Sequence, residues 1–499
     1  MTAATTQAKA PRRPLRLQAI ALACLVAAVA VITVERTWLA LALPLWFDES
    51  FTAAVAATPN WRSFVQEAYN DVAAPLYYAL MRLWEGLAGP SDFALRAPAL
   101  LAILAAGAIP IASRIKGLSF EARVTWGAMI FGWWGVGVLL NGRCYALLLA
   151  VSTLQCVLFA RLLVVPNRRN AWLWAGVAAC AILLQYYALI AAAAQGLLYL
   201  ASRRREALRT WPAVLAFAPA FGWMAFHAPR LQAFSAGDVA WHALVGPAEA
   251  VGFTAFAFNP SSPLVLPLAA AVVLAGLLAP KASSESEAAP TPTGHLWLVA
   301  GAAVAALALT LLSGALRPSL TGRYLVPVAP GLLLGLVLLA RRSARPHVAY
   351  LALVLIYLGV ALRPSAFTET LRLGVPYGHE QASSTLMRHG VTNVVFVWDH
   401  KVAPVMAPSS LARVGAVFFR RAADPATVTV LAPRPGEDVN RLALAAASGP
   451  RPGIIWIYNR RDSPSAHVFA PRIPQIDPRW SCERFGEEAL GTLACYRAP

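Results

Sequence analysis

Charged residues are scarce in this chain, making up 13% of its 499 residues, whereas soluble globular proteins contain about 25%. Hydrophobic residues account for 58%. Nearly charge-free runs recur along the sequence, and many reach about 17 residues, the length that crosses a bilayer. The scarcity of charge excludes an ordinary soluble protein and predicts a polytopic α-helical membrane protein.

Several motifs that would define other activities are also absent. The sequence has no DxD motif to hold a nucleotide-sugar through a divalent metal, no Walker A loop for ATP, and no CxxC or Cys/His metal spacing. No cofactor is therefore predicted, and a divalent cation stays an open alternative. The net charge of +18 lies in short basic clusters between apolar runs rather than on a basic face with interleaved aromatics. This pattern indicates membrane topology and argues against nucleic-acid binding.

The apolar runs predict eleven transmembrane helices. The first, 17–34, follows a basic N-terminal segment (1–16) and has no small-residue cleavage site after it, so it is interpreted as a signal anchor with a cytoplasmic N-terminus. The other spans are predicted at 97–113, 123–140, 145–163, 171–185, 187–201, 210–227, 263–280, 295–313, 324–340 and 347–362. Residues 17–362 would thus form one all-α membrane domain.

Residues 45–96 form the predicted first outer loop. Short helices are expected at 48–57 and 61–69, and the stretch 75–87 contains charges and is short for a span, so we expect it to lie along the membrane interface. Treating that stretch as a span would place most of the later basic clusters outside, against the positive-inside rule. An odd number of spans then leaves the C-terminus outside, in the periplasm of a bacterial inner-membrane protein.

The chain changes character after the last span. Residues 394–398, 428–431 and 454–458 have the pattern of strands, and 381–389 and 438–447 that of helices, so 363–499 is predicted to be a small soluble α/β domain. Cys482 and Cys495 close a short loop there, which predicts a disulfide if the compartment is oxidising. Residues 281–294 form a low-complexity linker on the inner side.

Four polar clusters fall on the outer side under this topology. They are Asp48-Glu49 with Asp71, Arg143-Cys144-Tyr145, Gln185-Tyr186-Tyr187, and Arg323-Tyr324. Adjacent carboxylates at a membrane boundary stay ionised only where water, a cation or a ligand reaches them. Two simpler explanations stay open: Asp48 as the N-cap of an interfacial helix, and the Arg-Tyr and Tyr-Tyr pairs as interfacial anchors.

The chemistry of these clusters suits a transfer reaction. A carboxylate can act as general base on a hydroxyl or amine nucleophile. Guanidinium groups, here Arg143 and Arg323, can hold a phosphate and stabilise it as it leaves. Because ATP is not available on the outer side, a phosphate on a membrane lipid is the donor that remains.

These segments resemble the GT-C glycosyltransferases, in particular the bacterial branch related to protein O-mannosyltransferases and lipid A aminoarabinose transferases. The resemblance covers about residues 15–365. The matching motifs are Trp46-Phe47-Asp48-Glu49, Asp71-Val72-Ala73-Ala74-Pro75-Leu76-Tyr77-Tyr78, Asp92-Phe93-Ala94-Leu95-Arg96-Ala97-Pro98, Arg143-Cys144-Tyr145-Ala146-Leu147-Leu148 and Gly322-Arg323-Tyr324-Leu325-Val326-Pro327.

The resemblance implies an inverting glycosyltransferase that takes a sugar from a polyprenyl-phosphate donor to a periplasmic or outer-leaflet acceptor, which is a glycan, a lipid or a protein. Asp48 matches the catalytic acid, and Glu49 its neighbour. Donor-phosphate positions correspond to Arg143, Tyr145, Arg323 and Tyr324, and candidate substrate-binding residues are Asp71, Tyr77, Arg96, Tyr186 and Tyr187. Many relatives have His where this chain has Ala73, which leaves Asp71 without the expected acid-base partner.

Two other functions fit a polytopic membrane protein. A lipid or sugar transporter would place ionisable residues near the middle of the spans, often in paired repeats, whereas the predicted spans are almost free of charge. An assembly scaffold would depend on the soluble C-terminal domain alone.

Overall fold

The computed structural model describes residues 13–42, 45, 47–133, 141–236, 244–280, 293–363, 378–399, 408–419, 427–434, 436–459, 472–485 and 490–497. Most of the predicted cytoplasmic segment, most of the 281–294 linker and the second part of the 123–140 span lie outside the described residues. Within them, the chain forms a helical membrane domain followed by a domain built on a five-stranded sheet.

The membrane domain begins with a 30-residue helix and three short helices. Helix α1 spans Arg13–Ala42, α2 Phe47–Ala56, α3 Trp61–Asn70 and α4 Leu76–Ala88. The two helices predicted at 48–57 and 61–69 are present with ends shifted by one residue, and the stretch predicted to lie along the interface at 75–87 is the helix α4. The acidic pair in the first turn of α2 suits the positive end of its helix dipole, and the Asn60 side chain caps α3 by accepting from the Ser63 backbone N–H.

The remaining helices of this domain follow in order. They are α5 (Asp92–Ala112), α6 (Phe120–Phe131), α7 (Tyr145–Val164), α8 (Arg168–Leu184), α9 (Ala188–Ser202), α10 (Arg204–Thr210), α11 (Ala218–Ala236), α12 (Pro247–Phe258), α13 (Val265–Leu278), α14 (Gly294–Leu316), α15 (Ala329–Ala340) and α16 (Pro346–Ala361). In the described part of the chain, five helical stretches are long and apolar enough to cross a membrane, at 23–41, 92–112, 145–164, 294–316 and 322–340, and three shorter helices are also apolar. The total of eleven spans stays a prediction.

Two predicted spans have a different internal structure. Trp211–Phe217 and Gly322–Val328 are 3₁₀ helices that precede α11 and α15, where the sequence predicted continuous spans at 210–227 and 324–340. Prolines contribute to both departures, because a proline has no N–H to donate to the helix ladder. Helix α12 was not predicted at all. By contrast, the break expected within 171–201 is confirmed, since α8 ends at Leu184 and α9 begins at Ala188.

The C-terminal domain is a mixed sheet in the order β2-β1-β3-β5-β4. Strands β1 (Asn393–Asp399), β2 (Thr427–Leu431) and β3 (Pro452–Asn459) are parallel, and β5 (Leu490–Arg497) joins β3 and β4 (Trp480–Phe485) in antiparallel pairs. The helices are α17 (Gly378–Arg388), α18 (Pro408–Val417), α19 (Val439–Ala446) and α20 (Ile473–Ile476).

Strands β4 and β5 were not predicted from the sequence. Strand β4 is an edge strand with mostly exposed or half-exposed residues, so its sequence contains no apolar run. Cys482 and Cys495 face each other across β4 and β5 and form a disulfide with a Sγ–Sγ distance of 1.99 Å. The disulfide therefore links two adjacent antiparallel strands.

The C-terminal domain packs on α2, in the segment that was predicted to be the first outer loop. Phe51 and Ala54 of α2 join the apolar cluster of this domain beside Leu411 and Val414 of α18, and the Phe51 ring meets Trp398 edge-on at 6.5 Å. These contacts seat the domain directly on the helix that contains the acidic pair.

A polar contact accompanies this apolar one. The buried Glu67 of α3 accepts from Arg413 Nη2 at 2.7 Å, from Ser409 Oγ at 3.2 Å and from Ser410 Oγ. His379 Nε2 donates to the Leu45 carbonyl at 2.9 Å. The C-terminal domain is thus held to the first outer loop on both sides of α2.

Candidate active site

Asp48 lies at the centre of the candidate site. It stands in the first turn of α2, where its Oδ2 accepts from Arg323 Nη1 at 2.7 Å. The Asp48 side chain is 27% exposed and that of Arg323 is 20% exposed. Burial raises the pKa of Asp48, but the charges of Arg323 and Arg143 outweigh it and hold the pKa below its ordinary value. Asp48 is therefore ionised at neutral pH and is within reach of solvent.

Arg143 is the second guanidinium of the site. It lies just before α7, and its Nη1 donates to the Asp48 backbone carbonyl at 3.3 Å and contacts the Tyr78 hydroxyl at 3.1 Å. The Tyr78 hydroxyl in turn donates to Asp71 Oδ2, while Asp71 Oδ1 accepts from the Val72 backbone N–H at 2.7 Å. The Asp71 carboxylate therefore holds Tyr78, which helps to fix Arg143 beside Asp48.

Glu49, the neighbour of Asp48, is buried in an ion pair. Its side chain is fully buried and accepts from Arg96 Nε at 2.7 Å, from Arg96 Nη2 at 2.5 Å and from the Gly142 backbone N–H at 2.6 Å. Arg96 is 3% exposed. The pair joins α2, α5 and the residue before Arg143. A catalytic role for Glu49 and substrate binding by Arg96 stay predictions.

A third set of contacts fixes the end of α3. His227 Nε2 donates to the carbonyls of Tyr69 and Asp71 at 3.0 and 2.8 Å, so its Nδ1 is the acceptor for the Tyr186 hydroxyl at 2.6 Å. The Tyr186 oxygen accepts from Trp223 Nε1 at 2.9 Å. Tyr186, predicted to bind substrate, thus orients His227, which in turn holds the Asp71 backbone.

The other tyrosines predicted for the site fall into two groups. Tyr187 and Tyr324 stack with their ring centroids 5.0 Å apart, and Arg323 lies over the Tyr145 ring at 5.6 Å. Tyr145 therefore lies against Arg323, while Tyr187 contacts Tyr324, the residue after Arg323. Tyr77 and Tyr78 are both buried, but the Tyr78 hydroxyl is the one that contacts Arg143. Substrate binding by Tyr77 stays a prediction.

The described residues of this site do not form a group of metal ligands. Within the described ranges, no group of three or more His, Cys, Asp or Glu side chains is placed to hold an ion. Asp71 is engaged by Tyr78 and Val72, and His227 by backbone carbonyls. The divalent cation left open by the sequence has no site among them.

Two residues of this constellation were missed from the sequence. Tyr78 belongs to the same motif as Tyr77, but only the phase of α4 decides which of the two points at Arg143. His227 had a usable signal: an ionisable residue within or at the end of an apolar span is unusual enough to indicate a function.

Comparison with solved structures shows that this arrangement of membrane helices and C-terminal sheet domain is a known fold. The chain is similar to ArnT from Cupriavidus metallidurans bound to undecaprenyl phosphate, with a TM-score of 0.58, 12% identity, and coverage of 95% of this chain and 97% of that one. Its similarity to the same protein in the apo state gives a TM-score of 0.55 at 13% identity, covering 95% and 98%.

The arabinosyltransferase EmbB from Mycobacterium smegmatis is also similar, at 15% identity, over 77% of this chain and 34% of that one, but its TM-score of 0.39 adds no argument. No protein-family model and no curated protein sequence matches this chain. The comparisons thus establish the fold, and the chemistry must be argued from the residues.

Proposed function

We propose that this protein is an inverting glycosyltransferase that moves a sugar from a polyprenyl-phosphate donor to an acceptor in the periplasm or outer leaflet. The observation that carries the proposal is the accessible Asp48 carboxylate beside two guanidiniums, Arg323 and Arg143. The fold shared with ArnT, a protein solved with undecaprenyl phosphate bound, supports a lipid phosphate as the partner of those guanidiniums.

The reaction follows from the charges of the site. An acceptor hydroxyl or amine attacks the anomeric carbon from the face opposite the phosphate and gives its proton to an Asp48 carboxylate oxygen. The bond between the anomeric carbon and the phosphate oxygen breaks, and the electron pair leaves with polyprenyl phosphate. Arg323 and Arg143 stabilise the charge that develops on that oxygen. One displacement inverts the anomeric carbon.

The topology belongs to the same proposal. An N-terminus in the cytoplasm, eleven spans over 17–362 and an external domain over 363–499 place Asp48, Arg143 and Arg323 together on the outer side. A disulfide in the C-terminal domain supports an oxidising compartment for that domain.

The proposal is tested by incubating the purified full-length protein with a panel of polyprenyl-phosphate sugars and measuring released polyprenyl phosphate and transferred sugar. We expect Asp48→Asn to lose about 10²- to 10⁴-fold in turnover, the usual contribution of a general base. Asp477→Asn, in the C-terminal domain, is the matched control and should retain turnover. Near-normal turnover by Asp48→Asn would remove Asp48 from the role of base.

The donor site is tested separately with Arg323→Ala. Loss of a charge-assisted hydrogen bond to phosphate should raise the donor KM about 10- to 100-fold. Arg317→Ala changes an exposed arginine a few residues earlier and should leave the KM unchanged. If instead the protein moves a fluorescent polyprenyl-phosphate sugar across proteoliposomes without releasing polyprenyl phosphate, the transport alternative replaces this proposal.

A further inference from the structure

The proposed base and the proposed phosphate ligand are bound to each other in this structure. Among the described residues, Asp48 is the hydrogen-bond acceptor that Arg323 contacts, at 2.7 Å, and the guanidinium otherwise rests over the Tyr145 ring. A phosphate that binds Arg323 must therefore compete with a carboxylate already in place.

The two guanidiniums are not equally free to change partners. Arg143 is engaged by the Asp48 carbonyl and by Tyr78, which Asp71 holds. Arg323 stands at the start of a 3₁₀ helix and one-fifth of its side chain is exposed. Arg323 is thus the guanidinium that can turn toward a ligand while Arg143 stays.

Asp48 cannot easily follow Arg323. The next residue, Glu49, is fully buried and fixed by Arg96 and the Gly142 N–H, and the other face of α2 is covered by the C-terminal domain through Phe51 and Ala54. The backbone beneath Asp48 is therefore anchored on two sides, so movement of Arg323 would separate the pair.

We propose that the donor's phosphate displaces Asp48 from Arg323, so that the carboxylate becomes free to act as base only when the donor is bound. This inference rests on the function proposed above and assigns to Arg323 a second role, as the group that masks Asp48 in the empty enzyme. Phosphate competes well for this position because a guanidinium matches its oxygens in a bidentate fork.

The electrostatics of the site reinforce the exchange. Burial raises the pKa of Asp48, and Arg323 is the strongest of the charges that lower it. When Arg323 turns to an incoming phosphate, that opposing charge is lost and a negative one arrives, so the pKa of Asp48 rises and the carboxylate becomes a stronger base. Donor binding would therefore precede productive acceptor binding.

The experiment measures the affinity of undecaprenyl phosphate for purified full-length protein in nanodiscs of uncharged lipid. If Asp48 competes for Arg323, Asp48→Asn should bind undecaprenyl phosphate more tightly than wild type, by about two- to fivefold, the worth of a partly exposed ion pair. The gain should vanish in Asp48→Asn/Arg323→Ala, which should bind no more tightly than Arg323→Ala alone. Glu483→Gln removes an exposed carboxylate of β4 and should change nothing.

The outcomes separate this inference from the proposed function. If Asp48→Asn binds as wild type does or more weakly, while Arg323→Ala binds more weakly, Arg323 holds phosphate but the exchange is refuted. If neither variant changes the affinity, the phosphate site itself is refuted. Asp48→Ala, with the same expected sign, serves if the Asn variant does not fold, as judged by its thermal unfolding midpoint.

Discussion

Replacing Glu49 by Gln should destabilise this protein strongly, because the substitution leaves the Arg96 guanidinium charged and buried. The two side chains are 0% and 4% exposed. Removing one partner of such a buried pair costs about 3–5 kcal/mol. Unfolding entropy grows with chain length, so for a chain of 499 residues that cost lowers the midpoint of thermal unfolding by about 3–5 °C.

The double variant Glu49→Gln/Arg96→Met tests the reason for that loss. It removes both charges, and the Gln amide oxygen can still accept from the Gly142 N–H that Glu49 now binds. Since a buried ion pair is often replaceable by apolar groups at little cost, the double variant should recover most of the midpoint. Intrinsic fluorescence during heating at a fixed scan rate measures the unfolding midpoints of all three proteins.

Turnover of the same variants distinguishes a structural from a catalytic Glu49. If Glu49 only positions α2, the double variant should regain turnover along with stability. A double variant that is as stable as wild type and yet inactive would refute this reasoning and return Glu49 to the chemistry. Equal midpoints for wild type and Glu49→Gln would refute the structural role.

The docking of the C-terminal domain gives two further predictions. Arg413→Ala should lower kcat more than it changes the donor KM, because it leaves the buried Glu67 without its charged partner at the base of the loop that contains Asp48. Steady-state kinetics measures this, with Arg441→Ala, which changes an exposed arginine, as the control. A change confined to the donor KM would contradict the prediction. Burial lowers the pKa of His379 to about 4 from about 6.5, so the folded state binds fewer protons than the unfolded one between those values. Stability should fall as pH drops through this window; the slope of unfolding midpoint against pH should flatten in His379→Gln, and an unchanged slope would contradict the assignment.

The sequence predicted which residues lie together in the site better than it predicted the contacts that each of them makes. Asp48, Arg143 and Arg323 are far apart along the chain, but each stands at an end of an apolar run that the topology predicts to be the outer one. The ends of spans on one side of a bilayer meet at one rim. Positive-inside bias made the two arginines conspicuous. The structure brings all three together.

The sequence could not show in the same way which of Asp48 and Glu49 is exposed and which is buried. Adjacent residues on a helix point about 100° apart, so one of the pair faces the opening and the other the core. Which one depends on the rotation of α2, and that rotation is set by packing: Arg96 on one side and the C-terminal domain on the other. Tertiary contacts of this kind leave no local signature in the sequence. For the same reason the sequence could not show that Tyr78, rather than Tyr77, contacts Arg143.

The same reasoning connects the C-terminal domain to the chemistry. Helix α2 has only ten residues, too few to be stable on its own, so its position depends on what it packs against. Glu49 anchors it to the membrane domain, and Phe51 and Ala54 anchor it to the C-terminal domain. An acceptor that contacted the C-terminal domain would therefore act on the same helix that presents Asp48, and a displacement of α18 would reach the Asp48–Arg323 pair through α2.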